Sequence, residues 1–159
     1  MSKSILRKKL IKKRKIKNKN SISISSKIFY NLIKNYDLNS KTIGGYYPVN
    51  YEVDDLDLLK DLSSKQITIS LPAISKNNTM DYYTWSFNNV LNINKYGIPE
   101  PEKKRLVYPD ILIVPMVGFD ERLYRLGYGG GYYDRYIEKI SFKKKNFTNW
   151  SCTYLSKSI

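Results

Sequence analysis

Apolar residues recur along this chain in two rhythms. Near the start, Ile5, Leu6, Leu10, Ile11 and Ile16 appear among cations at spacings of up to four or five positions. That spacing predicts a helix from about Lys3 to Lys17, capped by Ser2, with one narrow apolar stripe. Asn18-Lys19-Asn20-Ser21 interrupts it, and Ile24, Ile28, Phe29, Leu32 and Ile33 predict a second helix from about Ser23 to Asn35. After a turn at Asp37-Leu38-Asn39-Ser40 the apolar runs shorten. Lys41 to Tyr47, Gln66 to Pro72, Thr79 to Trp85 and Asp110 to Val114 read as strands, the second ended by its proline. The pair Gly44-Gly45 inside the first predicts a bend or the close approach of another backbone. Asp54 and Asp55 put negative charge at the start of a helix over Leu56 to Leu62. The stretch from Asn94 to Lys104 reads as a structured loop, and Tyr132 to Ile140 as a last helix. Strands alternating with helices predict an α/β fold: a single domain in three layers, Rossmann-like, with a mostly parallel sheet and ligand loops at the strand C-terminal ends.

Composition narrows the chemistry. At 159 residues the chain is long enough for one domain with a real core. Its one cysteine, Cys152, cannot form an internal disulfide, which points to a reducing, cytoplasmic setting. No run is apolar enough to span a bilayer, and no apolar stretch of signal-peptide type follows the basic start. Histidine is absent, which removes His-based triads, His-ligated metals and the commonest general base. The net charge of +14 is concentrated at the start, where residues 1–19 hold ten Lys or Arg and no acid. Three readings of that arm stand: a solvated helix in a lysine-rich chain, a nucleic-acid contact, or a phosphate contact from one or two residues. Lys3 and Arg7, four apart, project from one face of the helix.

The densest chemical signal is Arg125-Leu126-Gly127-Tyr128-Gly129-Gly130-Gly131-Tyr132-Tyr133-Asp134-Arg135, which holds four of the eight glycines. Between a predicted strand and a predicted helix, such a run offers backbone N–H groups and a positive helix end to a phosphate. It lacks the Gly-Lys-Ser/Thr close of a P-loop. It also fails the dinucleotide fingerprint, because Tyr132 stands where a final Gly or Ala is required. A plain turn between strand and helix is the alternative. Arg122, Arg125 and Arg135 add forked donors suited to phosphate oxygens. Asp134 has the chemistry to hold Mg2+ with phosphate oxygens and water, or to pair with an arginine at the helix start.

These residues resemble a known signature. Phe119-Asp120-Glu121-Arg122-Leu123-Tyr124-Arg125 through Asp134-Arg135 is similar to the 5-formyltetrahydrofolate cyclo-ligase (methenyltetrahydrofolate synthetase) family. So are Lys3 and Arg7 on a basic first helix, Tyr46 to Asp54, Leu71-Pro72, Met80 to Trp85, Gly97-Ile98-Pro99-Glu100-Pro101, and Pro109 to Pro115. The matches lie in the family's order and cover roughly residues 3 to 140. The resemblance implies ATP-driven, Mg2+-dependent cyclisation of 5-formyltetrahydrofolate to 5,10-methenyltetrahydrofolate, with release of ADP and phosphate. It implies ATP contacts from Lys3, Arg7 and the loop Arg125, Leu126, Gly127, Tyr128, Gly129, Gly130, Gly131, Tyr132 and Tyr133, with Arg125 also catalytic. Asp134 becomes a Mg2+ ligand. Tyr47 and Glu52, with Tyr128 to Tyr132, face the folate, and Trp85 or Tyr83 packs on the pterin or in the core.

The resemblance divides the chain into a cyclo-ligase-like domain over residues 1–140, whose basic helix occupies about 2–18, and a divergent tail over 141–159 with no assigned structure. The family's continuation, with its last strands, a His-Asp region and a second acidic Mg2+ ligand, has no counterpart in that tail. The expectation is a C-terminally truncated chain. Two further readings stay open: a relative that is inactive or only binds nucleotide, and a basic protein whose arm binds nucleic acid. Small-molecule folate and ATP are the expected partners, with no membrane and with nucleic acid not the primary one.

Overall fold

The computed structural model describes residues 2–17, 22–34, 38 and 41–143. Helix α1 (Lys3–Lys17) and helix α2 (Ser26–Leu32) precede strand β1 (Thr42–Gly44), helix α3 (Leu56–Ser64), β2 (Thr68–Ile74) and β3 (Met80–Thr84). Short strands follow: β4 (Leu91–Ile93), β5 (Pro99–Pro101), β6 (Leu106–Val107), β7 (Ile111–Leu112), β8 (Gly118–Phe119) and β9 (Arg125–Leu126). Helix α4 (Tyr132–Lys143) closes the described chain. The start of α1 agrees with the sequence pattern, and α4 runs three residues past the expected domain end. The tail from residue 144 lies outside the described residues.

The main sheet has the order β6-β3-β2-β1-β7. β1 is parallel to β2 and β7, whereas β3 is antiparallel to β2 and β6. The α/β architecture is as expected, but the sheet is mixed rather than mostly parallel. The connections explain the mixture. β1 reaches β2 through α3, a crossover long enough to return in the same direction, while β2 and β3 are joined by a short turn that only allows reversal. Pro72 does not end β2. It pairs opposite Tyr82, two residues beyond the last β2 residue alongside β1, so its missing N–H falls where β1 no longer asks for a donor. The expected irregular stretch near Gly97 is a hairpin, with Leu91, Asn92 and Ile93 opposite Pro101, Glu100 and Pro99.

Period-two alternation sends the strands' side chains to two cores. On one face Ile43, Ile69 and Leu71 pack with Leu58, Leu59 and Leu62 of α3, and with Phe29 and Trp85. On the other, Met80 and Tyr82 meet Tyr136 and Ile140 of α4. This is the three-layer arrangement: α2 and α3, the sheet, then α4. The glycine pair marks a close approach, as its sequence suggests. A Cβ on Gly44 would lie 2.7 Å from Leu112 Cδ2, 2.8 Å from Tyr82 Cε1 and 2.9 Å from Pro109 Cγ. A Cβ on Gly45 would lie 2.5 Å from Leu59 Cδ1. β1 therefore runs pinched between both layers, and its C-terminal end delivers Tyr46, Tyr47 and Glu52.

Gly44→Ala is expected to lower stability by about 1–3 kcal/mol, since three packed side chains must shift. A denaturant titration checks this, and an unchanged midpoint would contradict the pinch.

Candidate active site

The site is assembled from the end of β1, the first helix and the glycine loop between β9 and α4. Strands β8 and β9 form a hairpin ahead of that loop, which the sequence pattern did not show. Its turn is held by Asp120 Oδ1, which accepts from the Arg122 and Tyr124 amides at 3.0 and 2.8 Å. Arg122 thus stands exposed at the hairpin turn, away from the loop contacts described next.

Arginines from both sides grip the loop. Arg7 Nε donates to Gly127 O at 2.8 Å, and Arg135 Nη2 donates to Gly130 O and to Asn78 O, both at 2.8 Å. Two loop carbonyls are thereby occupied. The N–H groups of the first turn of α4, which lack intrahelical partners, are left to face an anion. Gly129 has φ +102° and Gly131 φ +67°, so these two positions require glycine. A Cβ on Gly129 would also come within 3.2 Å of the Arg7 guanidinium.

Arg125 turns back toward the protein body. Its Nη1 donates to Pro115 O at 3.2 Å, and its Nη2 pairs with Asp134 Oδ1. Asp134 keeps 73% of its side chain exposed in the first turn of α4. Among the described residues no three His, Cys, Asp or Glu side chains cluster as a metal site. A single exposed carboxylate such as Asp134 could complete the shell of a cation already coordinated to phosphate. Lys3 is exposed one turn before Arg7, and no hydrogen bond or ion pair joins it to the loop.

The loop meets the β1 end through Tyr128, whose hydroxyl faces the Glu52 carboxyl. Glu52 is 7% exposed and its Oε2 accepts from the Val49 amide at 2.8 Å. Burial raises its pKa, opposed by that amide, by Tyr128 and by Arg14. Tyr47, on the same segment leaving β1, is half-buried. Tyr132 contacts the rest of the rim: its hydroxyl is 3.0 Å from that of Tyr96 and 3.3 Å from Asn78 Oδ1. Tyr133 is half-buried under Arg125, 5.8 Å from guanidinium to ring centre.

Trp85 and Tyr83 lie elsewhere. Trp85 belongs to the α3-side core and packs on Phe87 with ring centres 4.6 Å apart. Tyr83 pairs opposite Leu71 of the same face. Trp85 therefore serves packing. Trp85 also lines an open cleft of about 360 Å³ with Gln66, Asn89 and Arg105, which no other expected site residue lines.

Several site residues were not foreseen. Arg14 donates to Met116 O, and Leu10 Cδ1 lies 2.9 Å from where a Gly118 Cβ would stand. Arg7, Leu10 and Arg14, spaced i, i+3, i+7, form the inward row of α1, while Ile5 and Ile16 of the expected stripe are 57% and 67% exposed. Two arginines two turns apart among lysines were the available signal. Asp55 turns inward at the start of α3, fully buried. No local pattern marked Asn78 or Tyr96.

The fold and the site define an α/β protein with a glycine-rich loop at a helix N-terminus set against a buried carboxyl at a strand end. A family model described as the 5-formyltetrahydrofolate cyclo-ligase family matches residues 1–154, and the chain belongs to that family. It is 47% identical over 64 residues to the probable 5-formyltetrahydrofolate cyclo-ligase of Schizosaccharomyces pombe, covering 36% of this chain and 31% of that protein. It is 30% identical over 102 residues to the 5-formyltetrahydrofolate cyclo-ligase of Mycoplasma pneumoniae, covering 64% and 54%. Thus the chain spans roughly a third to a half of the length of these two curated relatives. The solution structure of Aquifex aeolicus 5,10-methenyltetrahydrofolate synthetase matches with a TM-score of 0.65 at 31% identity, over 87% of this chain and 73% of that one. A 5,10-methenyltetrahydrofolate synthetase from Mycoplasma pneumoniae matches with a TM-score of 0.59 at 25% identity, over 87% and 79%. Among the described residues no helix is long and apolar enough to cross a membrane.

Glu52→Gln is expected to flatten the dependence of stability on pH. Glu52 holds its proton more tightly folded than unfolded. Its contribution is therefore full below the ordinary carboxylate range and is lost as pH rises through the raised folded value. Gln keeps the oxygen that accepts from Val49 and cannot ionise. Unfolding free energies measured across that window check this, and parallel curves for the two proteins would contradict it.

Proposed function

We propose that this chain carries the site of an ATP-dependent 5-formyltetrahydrofolate cyclo-ligase, forming 5,10-methenyltetrahydrofolate with release of ADP and phosphate. The observation that carries the reading is the junction of two half-sites. Arg7 holds the glycine loop at Gly127 O, and Tyr128 of the same loop reaches the buried Glu52 at the β1 end. A nucleotide on the loop and a folate over Glu52 and Tyr47 would share the Tyr128 to Tyr132 segment as a common wall.

The chemistry asks little of the protein covalently. The formyl oxygen takes the γ-phosphoryl group, the neighbouring folate nitrogen attacks the activated carbon, and phosphate leaves. No side chain need act as a nucleophile, which suits a chain without histidine. Its residues position and neutralise. The first N–H groups of α4, together with Lys3 and Arg7, face the phosphates, and Gly129 and Gly131 let the backbone approach. Arg125 and Asp134 are paired across the start of α4. On this reading Arg125 would stabilise the transferring phosphoryl group and Asp134 would complete the cation's shell. Mg2+, when bound with ATP, supplies charge neutralisation of the phosphate oxygens. A cytoplasmic setting accords with the single cysteine.

The test is direct. Protein incubated with 5-formyltetrahydrofolate and Mg-ATP is expected to develop the near-UV absorbance of the methenyl product. Folded protein that binds ATP without forming product would replace this reading with nucleotide binding alone. Asp134→Asn is expected to cut Mg2+-dependent turnover at least tenfold while changing stability by no more than about 1 kcal/mol, because the pair it breaks is largely exposed on the Asp134 side. Equal losses of turnover and stability would make Asp134 structural.

A further inference from the structure

Asp55 has no part in the chemistry above, yet it is the most deeply buried carboxyl described, at 0% exposure. Its Oδ2 accepts from the Tyr46 amide at 3.0 Å. The approach depends on Gly45, where a Cβ would stand 2.8 Å from that oxygen. Its Oδ1 is buried with no hydrogen-bond partner. A buried anion with a bare oxygen is far costlier than a neutral carboxyl in the same place. The groups facing it are Glu52 and Asp54 from its own segment, Tyr46 from the β1 end, Tyr82 from β3 and Tyr133 from α4.

We propose that Asp55 is a positioning residue for the folate half of the site, holding the Tyr46 amide so that Tyr47 and Glu52 keep their ligand-facing geometry, and that it does so as a neutral acid. The inference rests on the functional reading above. Burial pushes the Asp55 carboxyl up to about 8, with the Tyr46 amide opposing and Asp54 and Glu52 adding to the rise. Ionisation would set a second negative charge against Glu52 inside the same segment and loosen it. Tyr46 is anchored at its other end by its hydroxyl, which donates to Val53 O, so a shift at its amide moves the whole bend toward Glu52.

The experiment compares wild type, Asp55→Asn and Asp55→Ala at about pH 7 and about pH 9 by calorimetric titration with 5-formyltetrahydrofolate and by amide hydrogen exchange, the exchange rates corrected for their intrinsic pH dependence. Wild type is expected to lose about tenfold in folate affinity between these conditions, with faster exchange at Tyr46 and Tyr47. Asp55→Asn keeps the acceptor and cannot ionise, so its affinity and its slow exchange are expected to be alike at both. Asp55→Ala is expected to exchange fast at Tyr46 at both and to raise KM for folate without raising KM for ATP. The same pH dependence in wild type and Asp55→Asn would overturn the proposal, as would wild-type protection of Tyr46 in Asp55→Ala. If wild type binds no folate at all, the functional reading fails, and the exchange data alone decide whether Asp55 holds the bend.

Discussion

The contact on which this molecule's arrangement depends is the hydrogen bond from Arg7 to the carbonyl of Gly127. A helix with so many cations and so few apolar residues has little hydrophobic reason to sit on the domain. Arg7 and Arg14 supply the reason. Each gives its guanidinium to a main-chain carbonyl of the segment that follows β7, and Leu10 fills the space between them against Gly118. Charge-assisted bonds to carbonyls in a partly buried setting are stronger than neutral ones. They also sort the loop's polar groups, since carbonyls pinned outward leave amides to face a ligand.

Seen from this contact, the site is two pieces brought to one place by different forces. The glycine loop is positioned electrostatically, by Arg7 from α1 and Arg135 from α4. The proposed folate half is positioned by packing. β1 is pinched between the layers at Gly44 and Gly45, and the residues leaving it are tied by Asp55 and Val53. Tyr128 joins the pieces at Glu52. On the proposed reading the two halves have different sensitivities: salt and nucleotide would bear on the first, burial and protonation on the second. Membership of the cyclo-ligase family fits this division, because that reaction needs a phosphate cradle and a folate surface sharing a wall.

Much of this was legible in the residue pattern. The bounds of α1, the strands β1 and β3, the helix after the glycine run and the meaning of the glycine pair all follow from local periodicity and backbone sterics, which a sequence carries whole. Resemblance to the family singled out Arg7, Glu52 and the glycine loop, which the fold brings to one place. The sheet's mixed direction was harder to read, because it depends on how short the β2–β3 turn is relative to the α3 crossover. The hairpins β4–β5 and β8–β9 were missed because their strands of two or three residues are too short to show a period.

The sequence by itself determined the main helices and the longer strands, and that the Gly44-Gly45 pair marks a close approach, since these follow from local propensity and backbone sterics. Only the tertiary structure decided which cations of the basic arm face inward, that Arg125 is paired with Asp134, and that Asp55 is buried under β1 while its neighbour Asp54 caps α3 through the Leu56 amide at 2.8 Å. Those outcomes depend on which backbone groups are left unpaired after distant segments have packed, and no local pattern encodes that.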